Sequence, residues 1–341
     1  MSKYYSEEIT KDSKYRQEYV DSIQEFLTEW KQQAEMQRRE FISPERYVQN
    51  TESYREKFIQ MLGFPLMQPR IMPTVEKAFV ITDGNVDIYR MQFTFSNKVK
   101  FYGIYFEQIE KTVETPFVFG LHGGKGTSES VSSIHGDSYN YNHLVRRITD
   151  RGASVFAPQF LLWDREQYGN EYERQHTDGK FRQLGGSMTA AEVYFLRCIL
   201  DYFLAKEQVN KDKIGVAGLS YGGMYALHFA AVETRIKAAF SCSYVNDVFI
   251  HSWADWSYFN AQNTFTTAET IALVAPRSIF IAMGDEDNIF NAAGTVAECK
   301  KALPYFKAFG KEDNLRFKVF RGIHETDKEN EWLDFLFQKL K

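Results

Sequence analysis

The chain has 341 residues, 44% of them hydrophobic and 25% charged, with a formal net charge of −4. That balance fits a folded globular protein and argues against nucleic acid or an anionic membrane as a partner, since both reward a basic face. No apolar run approaches the roughly 20 residues that span a bilayer. The N-terminus, Met-Ser-Lys-Tyr-Tyr-Ser-Glu-Glu-Ile-Thr, lacks the apolar segment of a secretion signal, so a cytoplasmic location is expected. Cys198, Cys242 and Cys299 are odd in number and widely spaced, which reads as three free thiols and neither a disulfide framework nor a metal set.

From Tyr15 onward, Tyr15, Tyr19, Ile23, Phe26, Leu27 and Trp30 recur at the spacing of one helical face. Ser43-Pro44-Glu45 then supplies an N-cap, a proline at the first helical position and an early acid. Tyr47, Tyr54, Phe58, Met61 and Leu62 make the stripe of a second helix that Gly63 ends. The expected use of these aromatics is packing against the rest of the chain; the alternative is that they also wall a functional site. Residues 1–75 therefore read as a helical extension packed on a main domain of residues 76–341.

Pro65, Pro69 and Pro73 mark the linker. Lys77–Ile81, Val86–Phe95 and Phe101–Phe106 read as strands joined by short turns, an antiparallel meander. After Pro116 strands and helices alternate: Phe117–Leu121, Ala153–Ala157, Ile214–Ala217, Ile236–Ser241, Arg277–Met283 and Leu315–Phe320 are the strands. Thr189 to Lys206 is a strong helix, and Glu331–Leu340 is a closing amphipathic one. This alternation predicts an α/β fold with a mainly parallel central sheet and helices on both faces. Residues 160–186, with Trp163, Tyr168 and Tyr172, form the longest irregular stretch, and their length and position suggest a partial lid.

The chemistry gathers where strands end. Gly218-Leu219-Ser220-Tyr221-Gly222, between a strand and a helix, has the pattern of a nucleophile elbow, in which Ser220 projects from a strained turn and the flanking glycines make room. A serine hydroxyl needs a base to accept its proton. Gly322-Ile323-His324 follows one later strand and Gly284-Asp285-Glu286-Asp287 another, giving the chain order serine, acid, histidine. His324 is the expected base. Asp287 is preferred over Asp285 as the carboxylate that orients it. The backbone N–H of Tyr221 and one from His122-Gly123-Gly124, with Gly124 preferred to Gly123, would hold a developing oxyanion. His122 itself reads as a structural residue holding that loop. Trp253, Trp256 and Trp163 are candidates for lining a substrate pocket, and core packing is the competing use of the first two.

Together the Gly-Leu-Ser-Tyr-Gly-Gly elbow, the His-Gly-Gly loop, Gly-x-x-Asp and Gly-x-His resemble the α/β-hydrolase superfamily. Within it the chain is similar to the dienelactone hydrolase and acetyl xylan esterase-like branch. Tyr54-Arg55-x-x-Phe58-x-x-x-Leu62-Gly63-x-Pro65 and Phe156-Ala157-Pro158-Gln159-Phe160-Leu161-Leu162-Trp163 carry that likeness over roughly residues 45–341. The resemblance implies cofactor-free hydrolysis of small carboxylic esters, acetylated sugars among them. Dienelactone hydrolases proper use a cysteine where this chain has Ser220. A peptidase of the prolyl oligopeptidase type, or a binding protein on the same scaffold, are the alternatives. Oligomeric state is not legible from the motifs.

Overall fold

The computed structural model describes residues 4–134, 136, 138–162 and 172–341. These residues build one nine-stranded sheet in the order β1-β2-β3-β5-β4-β6-β7-β8-β9. Strands β1 (Thr74–Asp83), β2 (Val86–Thr94) and β3 (Lys100–Gln108) form the antiparallel meander, and β3 pairs antiparallel with β5 (Ser154–Pro158). From there the sheet is parallel through β4 (Phe117–Leu121), β6 (Ile214–Leu219), β7 (Ile236–Cys242), β8 (Ser278–Gly284) and β9 (Leu315–Phe320). A β-α-β crossover keeps the parallel strands pointing one way, so their carboxyl ends share one rim.

Side chains alternate between two buried layers, as strand geometry requires. On one face Phe117, Phe119, Val216, Ile279 and Ile281 pack under α7 (Met188–Lys206), α8 (Tyr221–Val232), α9 (Thr267–Ala272) and α10 (Ala292–Ala308). On the other, Val118, Val155, Ala217, Phe240 and Phe280 pack under α4 (Ser128–Val131), α5 (Leu144–Asp150) and α11 (Glu331–Lys339). Trp332 of α11 stacks on Phe240 at 4.2 Å. The expected parallel sheet with helices on both faces is present. Every strand expected from the sequence appears with its ends shifted by no more than a few residues.

The N-terminal helices differ from expectation in two respects. The expected second helix is two: α2 (Pro44–Gln49) and α3 (Thr51–Leu62), broken at Asn50, whose φ of −139° and ψ of 38° are not helical. A short polar side chain that bonds its own backbone competes with helix propagation, and the Asn50 amide donates to Arg46 O. The apolar stripe survives the break because Tyr47 and Tyr54 are seven residues apart. Tyr47, Tyr54, Phe58 and Leu62 are all buried. Ser43 caps α2 as expected, accepting from Arg46 N–H.

The first helix runs much further than its stripe, as α1 (Ser13–Phe41), and does not pack as expected. Among the described residues of α1 only Ala34 and Arg38 are buried; Tyr15, Tyr19, Ile23, Phe26 and Trp30 face solvent. The helix meets the body at its C-terminal end, where Arg38 pairs with Glu269 at 3.2 Å and Lys31 with Asp247 at 2.6 Å. Part of the stretch expected to be irregular is also helical: α6 spans Arg174–Gln183. Residues 163–171, with Trp163 and Tyr168 and a third of the expected lid, lie outside the described residues.

Candidate active site

Ser220 sits between β6 and α8 with φ 59° and ψ −121°, a conformation that side chains avoid unless the surroundings enforce it. Two backbone hydrogen bonds enforce it here: Ser220 N–H donates to Cys242 O at 2.8 Å, and Ser220 O accepts from Met224 N–H at 2.9 Å. The flanking glycines are needed for close approach. A Cβ on Gly218 would lie 2.2 Å from Gly222 O, and one on Gly222 would lie 2.2 Å from Leu121 O. The strand, the turn and the helix are thus pressed together with backbone alone between them.

The loops after β8 and β9 are joined equally tightly. Gly284 has Ile323 O and Gly322 O at 2.3 and 2.4 Å from where a Cβ would stand. Asp285 Oδ1 accepts the Gly322 N–H at 3.0 Å, so this carboxylate fastens the turn that presents the histidine. Asp287 Oδ2 accepts from His324 Nδ1 at 2.8 Å, and its Oδ1 accepts the N–H groups of Ile289 and Phe290 at 2.9 and 3.0 Å. Burial works to raise the Asp287 pKa, but the bond and charge of His324 and the two N–H groups outweigh it and hold it below the ordinary carboxylate value. Between the two candidate acids, Asp287 is the one in contact with the imidazole.

Cys242 ties the serine and histidine loops to one strand end. Its carbonyl receives Ser220 N–H, while its thiol donates to Glu325 O at 3.3 Å. The histidine loop is held from the far side by Asn140, whose amide donates to His324 O at 3.0 Å and whose carbonyl accepts from Thr326 N–H. Neither link is visible in the motifs, because Glu325 lies 83 positions from Cys242 and His324 lies 184 from Asn140.

The loop after β4 is also built for position. His122 is fully buried, and burial pushes its pKa down to about 4, so its ring is neutral. Its Nε2 accepts from Phe160 N–H at 2.9 Å, which places the proton on Nδ1, donated to Gly123 O at 2.8 Å. Gly123 N–H donates to Tyr141 Oη at 2.8 Å. A Cβ on Gly123 would come within 3.1 Å of Ser220 Cβ, so the loop runs directly beside the serine.

Beside Tyr221 lies a cavity of about 490 Å³ lined by Tyr172, Arg174, His176, Tyr221, Trp253 and Asp255, among others. Trp253 stacks over Tyr221 at 6.0 Å and lines this space. Trp256 is buried behind Tyr221, in contact with Tyr244 and Phe290. Phe290 in turn stands 6.0 Å from the His324 ring. One group here escaped sequence reasoning altogether. Arg174 is buried and bonds Asp255 at 2.5 Å, Glu192 at 3.1 Å, Tyr225 Oη at 2.6 Å and Leu161 O at 2.8 Å. Asp255 also accepts from Tyr221 Oη, so the ion cluster fixes the ring next to the elbow. Its members come from four separate segments and share no local pattern.

A strained serine between a parallel strand and a helix, with an acid–histidine pair at the ends of later strands of the same sheet, defines an α/β-hydrolase architecture. Comparison with known proteins agrees. Residues 131–322, more than half of the chain, match the dienelactone hydrolase family, and the chain belongs to that family. It is 27% identical over 140 residues to YtaP of Bacillus subtilis (strain 168), a hydrolase by name; the match spans 39% of this chain and about half of YtaP, 47%. Two solved structures of like fold are a glucuronoyl esterase from Solibacter usitatus and acetyl xylan esterase 1 from Thermoanaerobacterium sp. JW/SL YS485. The first has a TM-score of 0.63 at 15% identity over 84% of this chain and 91% of its own. The second has a TM-score of 0.53 at 16% identity, over 85% and 92%. Identities this low speak for the fold alone.

Proposed function

We propose that the protein is a serine carboxylic ester hydrolase that works through an acyl-enzyme on small, acetylated substrates, sugar esters among them. The observation that carries this reading is the Asp287–His324 hydrogen bond together with the strained Ser220 turn, the two loops being anchored on Cys242. With Nδ1 committed to Asp287, His324 has Nε2 to take the proton from Ser220 as its oxygen attacks the ester carbonyl. The same proton then goes to the departing alcohol, leaving the acyl group on Ser220. Water, deprotonated by His324, releases the acid and restores the serine.

The oxyanion of each tetrahedral intermediate is assigned to the N–H groups of Tyr221 and Gly124. Gly124 is preferred over Gly123 because the Gly123 N–H is already given to Tyr141. Trp253 is assigned to the substrate wall, since it lines the cavity beside the elbow. Residues 76–341 hold all of these groups and are taken as the catalytic domain, with 1–75 as its extension. The reading calls for no cofactor or metal. The sugar-ester part rests on the names of the glucuronoyl and acetyl xylan esterases that share the fold. Among the described residues no helix is long and apolar enough to cross a membrane.

The test is a panel of chromogenic esters from acetyl to octanoyl, acetylated sugars and matched anilides. An initial burst of alcohol from the acetyl ester that vanishes in Ser220→Ala is the expected result. Labelling of the native chain, but not Ser220→Ala, by a fluorophosphonate would identify the nucleophile. Anilide turnover rivalling ester turnover would instead point to a peptidase, and no turnover at all would reject the reading.

A further inference from the structure

Among the described residues, none covers the apolar face of α1. Tyr15 is 71% exposed, Tyr19 70%, Ile23 39%, Phe26 55% and Trp30 54%. From Ser13 to Phe26 the helix has no buried residue. An isolated helix of this length is marginal in water, and helices in proteins owe most of their stability to burying an apolar face. We propose that α1 is the dimerisation element of the protein, pairing antiparallel with α1 of a second copy.

Three observations choose a second copy as the occupant. The first is the spacing. Tyr19, Ile23, Phe26 and Trp30 follow one another at four, three and four residues, the seam of a helix that packs lengthwise on another. The second is area. At about 200 Å² per aromatic side chain, the four exposed rings offer roughly 500 Å² per copy, so two copies bury about 1,000 Å² before Ile23, Val20 and flanking groups are added. That reaches the size at which a specific interface becomes stable.

The third is charge. Lys14 and Arg16 lie at one end of the seam, while Glu18, Asp21, Glu25 and Glu29 fill its middle and far half. A parallel pair would set the acidic stretches side by side. A two-fold axis near Ile23 instead brings Tyr15 opposite Trp30, Tyr19 opposite Phe26 and Arg16, which also bonds Asp12 of its own chain, opposite Glu29 of the other copy, while Lys14 falls opposite a Lys31 that Asp247 already holds. At the Trp30 end the stripe opens into a groove of about 380 Å³ lined by Leu27, Trp30, Phe249 and Phe259, and this groove would receive Tyr15 of the second copy. The acidic character of the helix disfavours a lipid surface, which selects basic amphipathic helices.

The experiment is sedimentation of the full chain up to about 100 µM, where interfaces of this class assemble. Wild type should sediment at twice its 39.8 kDa. Phe26→Glu with Trp30→Glu should give a folded monomer whose ester turnover is unchanged, because these side chains are exposed and do not line the cavity beside Tyr221. Arg16→Glu should weaken the dimer at least tenfold, and adding Glu29→Arg should restore it. Ile23→Cys should form a disulfide-linked dimer on mild oxidation, since the three native cysteines are buried. A wild type that stays monomeric, a dimer indifferent to Phe26→Glu and Trp30→Glu, or a charge swap that fails to restore pairing would overturn the proposal. So would a monomer that floats with phosphatidylcholine–phosphatidylserine vesicles.

Discussion

Asp287 Oδ2 stands 2.8 Å from His324 Nδ1, across two loops that follow neighbouring parallel strands. The contact holds the ring with Nδ1 turned to the carboxylate and Nε2 left for another partner. Asp287→Asn is therefore expected to lower kcat by about 10³- to 10⁴-fold while leaving KM within a few-fold. Asp285→Asn, which touches the Gly322 turn and not the ring, should cost about tenfold or less by the same reasoning. Steady-state kinetics on one acetyl ester distinguishes the two carboxylates, and equal losses would refute the assignment.

The elbow glycines make a steric prediction. Gly222→Ala would force a methyl to within 2.2 Å of Leu121 O, which only a backbone shift can relieve. It should destabilise the protein by several kcal/mol, at the large end for single substitutions. Gly84, at φ +63° with nothing within 4 Å, should lose only about 1–2 kcal/mol as Ala, the cost of the left-handed conformation. Urea denaturation of the two variants checks the contrast.

Arg174 holds two carboxylates apart from water. Arg174→Met leaves Asp255 and Glu192 buried without their cation, so a loss of about 3–5 kcal/mol is expected. Adding Asp255→Asn should recover part of that loss, because it removes one of the uncompensated charges. Chemical denaturation of the single and double variants would show it; equal stabilities would mean that the cluster is not an ion pair in solution.

His122 and His228 are both buried, and burial lowers each pKa from 6.5 to about 4. The unfolded chain then takes up protons before the folded one, so stability is full above pH 6.5 and falls as pH drops toward 4. The slope in that window should approach two protons, about 2.7 kcal/mol per pH unit. His228→Gln should halve it. Below that window Glu233, held at about 2 against an ordinary 4.5 chiefly by Arg235 in spite of its burial, removes stability in turn. Unfolding free energies at pH 7, 5.5 and 4.5 test the order; a flat profile between 6.5 and 4.5 would contradict it.

Much of this molecule was legible in one dimension. Short apolar runs of β-branched and aromatic residues between glycines and polar turns specify strands locally, and Gly218-x-Ser220-x-Gly222 specifies a turn that only glycines can flank. The break at Asn50 was missed because a seven-residue stripe reads the same whether or not the helix is continuous across it. The exposure of α1 was missed for a deeper reason. Amphipathic spacing says that a face wants cover, and cannot say which surface provides it.

The linear chain by itself determined where the strands of the parallel half fall, the serine turn and the candidate serine, acid and histidine, because each is marked by residues within a few positions of it. Tertiary structure decided that Asp287, already preferred from the sequence, and not Asp285 meets His324, and it alone showed that Cys242 anchors both loops and that Arg174 sits among Glu192, Tyr225 and Asp255. Those contacts join side chains tens of residues apart, and their geometry exists only once the sheet has brought its strand ends to a common rim.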